Sequence, residues 1–324
     1  MSAAKGRLKD GAAPARTAAT PPMDEQRAWM LIHGAAQAIG SFDTAQPARF
    51  RLDSGGHLRS CSTARANLIW EPGEGWRVLG AEGRARAMLD LYLPISSATA
   101  ERPMTIAHLG QSLDGFIATC SGDSAFVTGP ENILHLHRMR ALCDAVLVGA
   151  GTVSADNPRL TTRLVPGRNP VRVILDPGCR LPPSLSVFTD RQARTLRVCA
   201  AGSAAARGAA DDERLEVTAD EHTGLNLAQL VRALRERGYQ RLFIEGGGVT
   251  VSSFLRAGLV DRLHLAIAPL LIGEGRAAVR LHAAACVHQG MHLSHRVYRN
   301  GEDILLDCDL RRADARGPQR SGAS

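Results

Sequence analysis

No stretch of this 324-residue chain approaches the roughly 20 consecutive apolar residues that a membrane helix needs. The start also lacks the apolar block of a secretory signal. Residues 1–22 are rich in Ala, Arg and Lys and are expected to be a disordered tail, with a transit segment as the alternative. The seven cysteines include no Cys-x-x-Cys pair, and their number is odd. This argues against a disulfide framework or a structural zinc site and points to reduced thiols in a cytoplasmic protein. A polyanion-binding body is missing too. The net charge is +7, but residues 1–22 carry +3 (Lys5, Arg7, Lys9 and Arg16 against Asp10) and residues 311–324 another +3 (Arg311, Arg312, Arg316 and Arg320 against Asp314). The part between is nearly neutral, so neither nucleic acid nor a membrane is an expected partner. No internal repeat is present.

What is there is a hydrophobic content of 44%, enough for one large domain or two modest ones. The chain is organised around Leu242-Phe243-Ile244-Glu245-Gly246-Gly247-Gly248 and the amphipathic run that follows to Gly258. This reads as a buried strand, a carboxylate, a glycine turn and a helix. Glycines there let the backbone approach a ligand, and a helix start favours an anion such as a phosphate. A tight turn opening a helix is the alternative reading.

Taken in order, Asp24 is placed to cap a helix running to about Gly40, with Trp29, Ile32, Ala36 and Ile39 on one face. Short strands follow at 49–52, 67–70 and 76–79, and the unit ends in a loop near 96–103. From Met104 apolar strands alternate with helical patterns. Strands are expected at 104–110, 145–148, 171–175, 196–200, 242–244 and 263–268, with helices at about 130–142, 226–237 and 249–257. That alternation predicts an α/β domain with a largely parallel sheet. Runs at 295–299 and 303–310, joined by Asn300-Gly301-Glu302, predict a closing hairpin.

Gly149-Ala150-Gly151-Thr152 follows a strand but is not a dinucleotide fingerprint. Ser154 stands where a third glycine belongs, and Asp156-Asn157-Pro158 interrupts any helix pattern. The loop 152–163 concentrates hydroxyls, Asp156, Arg159 and Arg163 after a strand, where α/β proteins place ligands; a solvated loop is the alternative. His282, Cys286, His288, His292 and His295 match no standard zinc spacing, so no metal is expected. His288, His292 and His295 would share a helix face, but their segment runs into a predicted strand. His135 and His137, two apart on a helix, point to different faces.

An ordered set of motifs carries a resemblance. It comprises Ser112-Leu113-Asp114-Gly115, Ser121-Gly122-Asp123-Ser124, Val127-Thr128-Gly129, His137-Arg138-Met139-Arg140-Ala141 and Gly149-Ala150-Gly151-Thr152-Val153. Asp156-Asn157-Pro158, Leu160-Thr161-Thr162-Arg163, the strand 170–176, Glu245-Gly246-Gly247 and Gly258-Leu259-Val260-Asp261 complete it. Over about residues 103–310 the chain resembles the reductase domain of the bifunctional riboflavin-biosynthesis deaminase/reductase, with its dihydrofolate-reductase-like fold.

The resemblance implies an NADPH-dependent reductase of a phosphoribosylamino-pyrimidine, with hydride going to C1′ of the ribose to give the ribitylamino product. It implies a cofactor site at Gly110, Phe126, Thr152, Asp156, Gly247, Gly248, Val249, Thr250, Val251, Ser252 and Ser253. It implies a substrate site at Ser124, Arg140, Leu160, Arg163 and Glu245, with Asp156 and Glu245 as catalytic carboxylates. Arg163 suits a sugar phosphate, with Arg140 completing the clamp, and Asp156 suits the nicotinamide or ribose hydroxyls. A homodimer is the family default. Two features depart from the pattern. His108 stands where the family usually has lysine, and residues 23–100 carry no zinc-deaminase signature, neither His-x-Glu nor Pro-Cys-x-x-Cys. The expected division is a tail at 1–22, a small α+β unit of unknown role at 23–100, the reductase domain at 101–311 and a tail at 312–324, with no deaminase activity. Alternatives are a related reductase acting on another heterocycle and a non-catalytic ligand-binding homologue.

Overall fold

The computed structural model describes residues 23–62, 66–125, 127–203 and 213–311. The two expected tails and Phe126 lie outside the described residues. Asp24 caps α1 (Glu25–Ala38) by accepting from Arg27 N at 2.8 Å. A small antiparallel sheet follows, built from β1 (Ala48–Leu52), β2 (Leu58–Ser60), β3 (Leu68–Glu71) and β4 (Gly75–Val78) in the order β2-β1-β3-β4. Then comes α2 (Gly83–Ser96), which the sequence reading did not anticipate.

The larger part is one nine-stranded sheet. In chain order its strands and flanking helices are β5 (Met104–Ser112), α3 (Pro130–Leu142), β7 (Ala145–Gly149), α4 (Ala150–Asp156), β8 (Val171–Leu175), α5 (Ser186–Thr189), β9 (Thr195–Ala200), β10 (Glu213–Val217), α6 (Leu227–Glu236), β11 (Arg241–Glu245), α7 (Gly248–Arg256), β12 (Arg262–Ala268), β14 (Ser294–Asn300) and β15 (Asp303–Asp309). β6 (Phe116–Thr119) and β13 (Gly275–Ala277) pair separately. The order is β10-β9-β8-β7-β11-β5-β12-β15-β14, parallel from β10 to β12, with the expected β14–β15 hairpin antiparallel at one edge. Strands covered on both faces read as unbroken apolar runs, as in Ala145, Val146, Leu147 and Val148, all fully buried.

Each face has its own core. On one, Val173, Leu196, Leu242 and Ile244 meet Leu230, Val231 and Leu234 of α6 and Phe254 of α7. On the other, Ile106, Val146, Ile174 and Phe243 join Met139 and Leu142 of α3 and continue without a break into Leu31 and Ile32 of α1 and Leu89 and Tyr92 of α2. Each such buried Leu or Ile stabilises by about 1.5–3 kcal/mol. Residues 23–100 therefore share a core with the large sheet. Polar ties reinforce the join: Trp29 Nε1 donates to Pro166 O at 3.2 Å, and Arg241 Nη1 donates to Ala36 O at 3.1 Å.

Three expectations are corrected. A helix does follow Gly149: α4 runs seven residues and stops where Asn157 takes a left-handed conformation (φ 42°) before Pro158. Asp156 thus ends a helix and does not share a loop with Arg163. His288, His292 and His295 share no helix, since only a three-residue turn at 287–289 precedes β14. The thiols are not all free: Cys179, in the turn after β8, is bonded to Cys199 of β9, with Cα atoms 5.8 Å apart. Parallel pairing of β8 with β9 brings together two cysteines that are 20 residues apart in sequence. Alkylation under denaturing, non-reducing conditions should modify the five cysteines Cys61, Cys120, Cys143, Cys286 and Cys308, and Cys179 and Cys199 only after reduction. Modification of all seven without reductant would refute the pairing.

Candidate active site at the switch point of the sheet

β7 and β11 are parallel neighbours, yet their following helices leave on opposite faces: Val153 of α4 lies in one core, and Val251 and Phe254 of α7 lie in the other. Such a divergence marks a switch point at the carboxyl ends of the strands, the place where open α/β sheets provide a crevice for ligands. Two glycine turns form its floor. Gly246 and Gly247 have φ of +71° and +73°, conformations that side chains rarely adopt. The turns also interlock: a Cβ on Gly247 would lie 2.9 Å from Thr152 Oγ1, and one on Gly149 would lie 2.5 Å from Thr250 Oγ1.

The first turn of α7 offers backbone N–H groups with no partner inside the helix. Of the residues assigned to the cofactor there, Val249 is 72% exposed, Gly247 and Thr250 are half-buried beside the other turn, and Gly248 is buried against the backbone carbonyls of Ala277 and Ala278. Val251 is turned into the core. The Ser252 hydroxyl accepts from Arg280 N at 2.8 Å, and the Ser253 hydroxyl donates to Val249 O at 2.9 Å. These three side chains serve the fold. Gly110 lies against Thr128 and Asn132, where a Cβ would sit 2.8 Å from Thr128 Cγ2. Asp156 and Ser124 are exposed.

The other wall is ionic. Glu245, at the end of β11, is gripped by Arg140 of α3 through two parallel hydrogen bonds, from Nε to Oε2 at 2.7 Å and from Nη2 to Oε1. Arg140 Nη1 also donates to Thr161 O at 3.1 Å. Arg140 therefore orients Glu245 and the loop, and its guanidinium is largely committed before any ligand arrives. Arg163 is different. It is exposed, donating through Nη1 to Thr161 Oγ1 at 2.8 Å, while its backbone N–H donates to His137 Nδ1 at 2.9 Å. Arg159, also exposed, bears on Arg163 electrostatically. Two nearby exposed guanidiniums have the charge and donors that could hold a dianion. Nothing in the sequence singled out Arg159 above its loop neighbours.

The loop carrying these arginines is strained and pinned. Leu160 has φ 54° and is buried, a conformation costing on the order of 1–3 kcal/mol. Buried Arg172 of β8 donates to Arg159 O at 3.2 Å and to Asp190 at 2.7 Å, holding the loop from below. His108 of β5 is opposite Glu245 in register, with its Nε2 2.9 Å from Asn132 Oδ1. Burial, helped by His264, pushes its pKa down to about 3, so this position carries no cation where a lysine would. Among the described residues no group of three His, Cys, Asp or Glu is placed to hold a metal. A second cleft, about 870 Å³, lies between the small sheet and β12–β15 and is bordered by Trp70, Trp76, Arg262 and Asp307; no glycine of either turn borders it.

A mixed α/β enzyme with its ligand crevice at a switch point is the class that fold and site define. Residues 103–294 match the RibD C-terminal domain, and the chain belongs to that family, an oxidoreductase family of dihydrofolate-reductase-like fold. It is 36% identical over 212 residues to the 2,5-diamino-6-ribosylamino-4(3H)-pyrimidinone 5′-phosphate reductase of Methanothermobacter thermautotrophicus, covering 64% of this chain and 97% of that protein. It is 34% identical over 216 residues to the riboflavin biosynthesis protein RibD of Aquifex aeolicus, covering 64% of this chain and 58% of that protein. The crystal structure of a deaminase/5-amino-6-(5-phosphoribosylamino)uracil reductase from Thermotoga maritima superimposes with a TM-score of 0.53 at 26% identity, covering 69% of this chain and 61% of that one. Residues 23–100 precede the family match.

His108, His135, His137 and His264 are all buried, and burial holds each below the usual histidine pKa of 6.5, His137 at about 4. As pH falls below 6.5 the unfolded chain takes up protons that these folded rings refuse, so stability should fall. The urea midpoint is expected to be flat above about pH 7 and to drop steadily between about pH 6.5 and 4. A midpoint unchanged down to about pH 5 would contradict neutral buried histidines.

Proposed function

We propose that this chain is an NADPH-dependent reductase of a phosphoribosylamino-pyrimidine, delivering hydride to ribose C1′ and releasing the open-chain ribitylamino product. The observation that carries this reading is the Arg140–Glu245 pair, set in register beside His108 and adjoining the loop that presents Arg159 and Arg163. The glycine turns fit a dinucleotide: backbone comes to the surface at Gly246 and Gly247, and the first turn of α7 suits a pyrophosphate. When bound, the nicotinamide supplies the hydride.

The remaining work falls to the chain's own residues. Arg163, with Arg159, holds the sugar phosphate. Glu245, oriented by Arg140, accepts hydrogen bonds from the sugar or the pyrimidine. Asp156 accepts from the nicotinamide or ribose hydroxyls. The two substrates named for the archaeal and Thermotoga relatives differ by an amino or oxo group on the ring and share the phosphoribosyl half that the arginines face. We place the enzyme in the cytoplasm, where reduced NADPH is available. We infer a homodimer through the outer hairpin, where Val297 and Ile304 are 61% and 48% exposed on an edge of the sheet.

Mixing the protein with NADPH and each pyrimidine phosphate in turn should oxidise NADPH and yield the ribitylamino product from at least one. No oxidation with either would reject the reading. Arg163→Ala should raise KM for that substrate by roughly 10–100-fold, the worth of a hydrogen bond to a charged group, and leave NADPH affinity unchanged. Weaker NADPH binding with an intact KM would instead give Arg163 to the cofactor. Gly247→Val forces a branched side chain into a positive-φ turn against Thr152. Fluorescence titration should show NADPH affinity falling at least tenfold while circular dichroism is unchanged. Unaltered affinity would move the pyrophosphate elsewhere.

A further inference from the structure

Four strands bring a row of polar side chains into register on the face beneath α3. Glu245 of β11 is opposite His108 of β5, His108 is opposite His264 of β12, and His264 is opposite Asp307 of β15. His108, His264 and Asp307 are each no more than 2% exposed. A polar row this deep needs partners; Asn132 and His135 of α3, Tyr92 of α2 and Arg262 of β12 supply them, and His264 Nε2 has only Asp307 to face.

The pairing has one polarity. Asp307 is held by Arg262 through both carboxylate oxygens and lies 3.4 Å from His264 Nε2. A carboxylate only accepts, so Nε2 of His264 carries the proton. Its Nδ1, 3.2 Å from His135 Nε2, then accepts from His135. His135 Nδ1, 2.7 Å from the Tyr92 hydroxyl, accepts from Tyr92. Burial disfavours the charged form of both rings, and with the rings neutral each proton of the Tyr92–His135–His264 chain points towards Asp307. The His135 ring centroid also lies 5.1 Å from those of His108 and His264, with the ring planes tilted by 37° and 46°. Asn132, which accepts from His108, lies one turn before His135 on α3. Of the two neighbours of His108 on that helix, His135 is set by anchors on α2 and β12, and Asn132 donates through Nδ2 to Thr128 Oγ1 at 2.9 Å.

We propose that Tyr92, His135 and His264 are positioning residues for the reductase site, fixing the neutral His108 ring in one orientation beside Glu245, so that the unit 23–100 contributes Tyr92 to that site. The location of the chemistry rests on the reductase reading above; the network itself does not.

Tyr92→Phe removes one hydroxyl and little else. His135 loses the donor that favours its neutral form and so binds a proton more readily. The charged and titratable groups around it are Arg138 on α3, His108 on β5 and His264 on β12, with Arg262 and Asp307 behind His264. The expected result is a new acid limb in kcat/KM for the pyrimidine phosphate, setting in at a higher pH than any acid fall of the unmodified chain and reaching a loss on the order of tenfold at the acid end of the range in which the protein stays folded, with unchanged NADPH affinity. The double variant Tyr92→Phe/His135→Gln, with no ring to titrate, should lack the limb. A pH profile that superimposes on that of the unmodified chain would overturn the proposal. If the unmodified chain reduces neither pyrimidine, the reductase reading fails, and nitrogen NMR of labelled histidines decides the network alone. His135 and His264 should then be neutral Nε2–H tautomers at about pH 6, with His108 resonances shifted in Tyr92→Phe. A charged His135 in the unmodified chain, or unmoved His108 resonances, would overturn it.

Discussion

The bidentate contact between Arg140 and Glu245 is the interaction on which the site depends. Both side chains are largely withdrawn from water, and a charge in that position is tolerated only when it is paired and hydrogen-bonded. Because the partners are 105 residues apart, satisfying them joins α3 to the end of β11. The third bond of Arg140, to Thr161 O, adds the loop after α4. One guanidinium thus sets the relative positions of the carboxylate, the arginine-bearing loop and the helix that covers the polar row. Leu160 can hold its left-handed conformation because Arg172 and Arg140 pin the residues on either side of it.

The same face explains why the first eighty or so described residues are not simply appended. α1 and α2 complete a hydrophobic layer that begins on Ile106, Phe243 and Val146 of the large sheet. Separating them would expose that apolar layer to water. The join is built on core packing, with Tyr92 meeting His135 within it.

Much of the frame was legible in the sequence because its signals are local. Apolar runs bounded by glycine or charge marked β5, β7, β8, β9, β11 and β12, and the Asn-Gly pair marked the outer hairpin. α2 escaped because Ala85, Met88, Leu89, Leu91, Tyr92, Leu93 and Ile95 are all buried, which blurs a one-sided period, and Pro94 sits in its last turn. α4 escaped because a helix of seven residues shows too little period before Asn157. The site was legible as a set of residue types but not as a set of partners. Arg140 reads as a cation for a phosphate, and only the fold shows it committed to Glu245. His135 and His137 were rightly assigned different directions, yet both are buried, because α3 is covered by α2 on one side and by the loop at 163 on the other. The Cys179–Cys199 pair needed the β8–β9 adjacency, which no cysteine spacing encodes.

A crystal structure of the chain with oxidised NADP and the phosphorylated pyrimidine product tests the central claim most directly. The account expects the pyrophosphate against the first turn of α7 at 247–250, the sugar phosphate on Arg159 and Arg163, and the sugar or pyrimidine in hydrogen-bond reach of Glu245. A dinucleotide seated instead in the cleft bordered by Trp70, Trp76, Arg262 and Asp307, with the crevice between β7 and β11 empty, would contradict it.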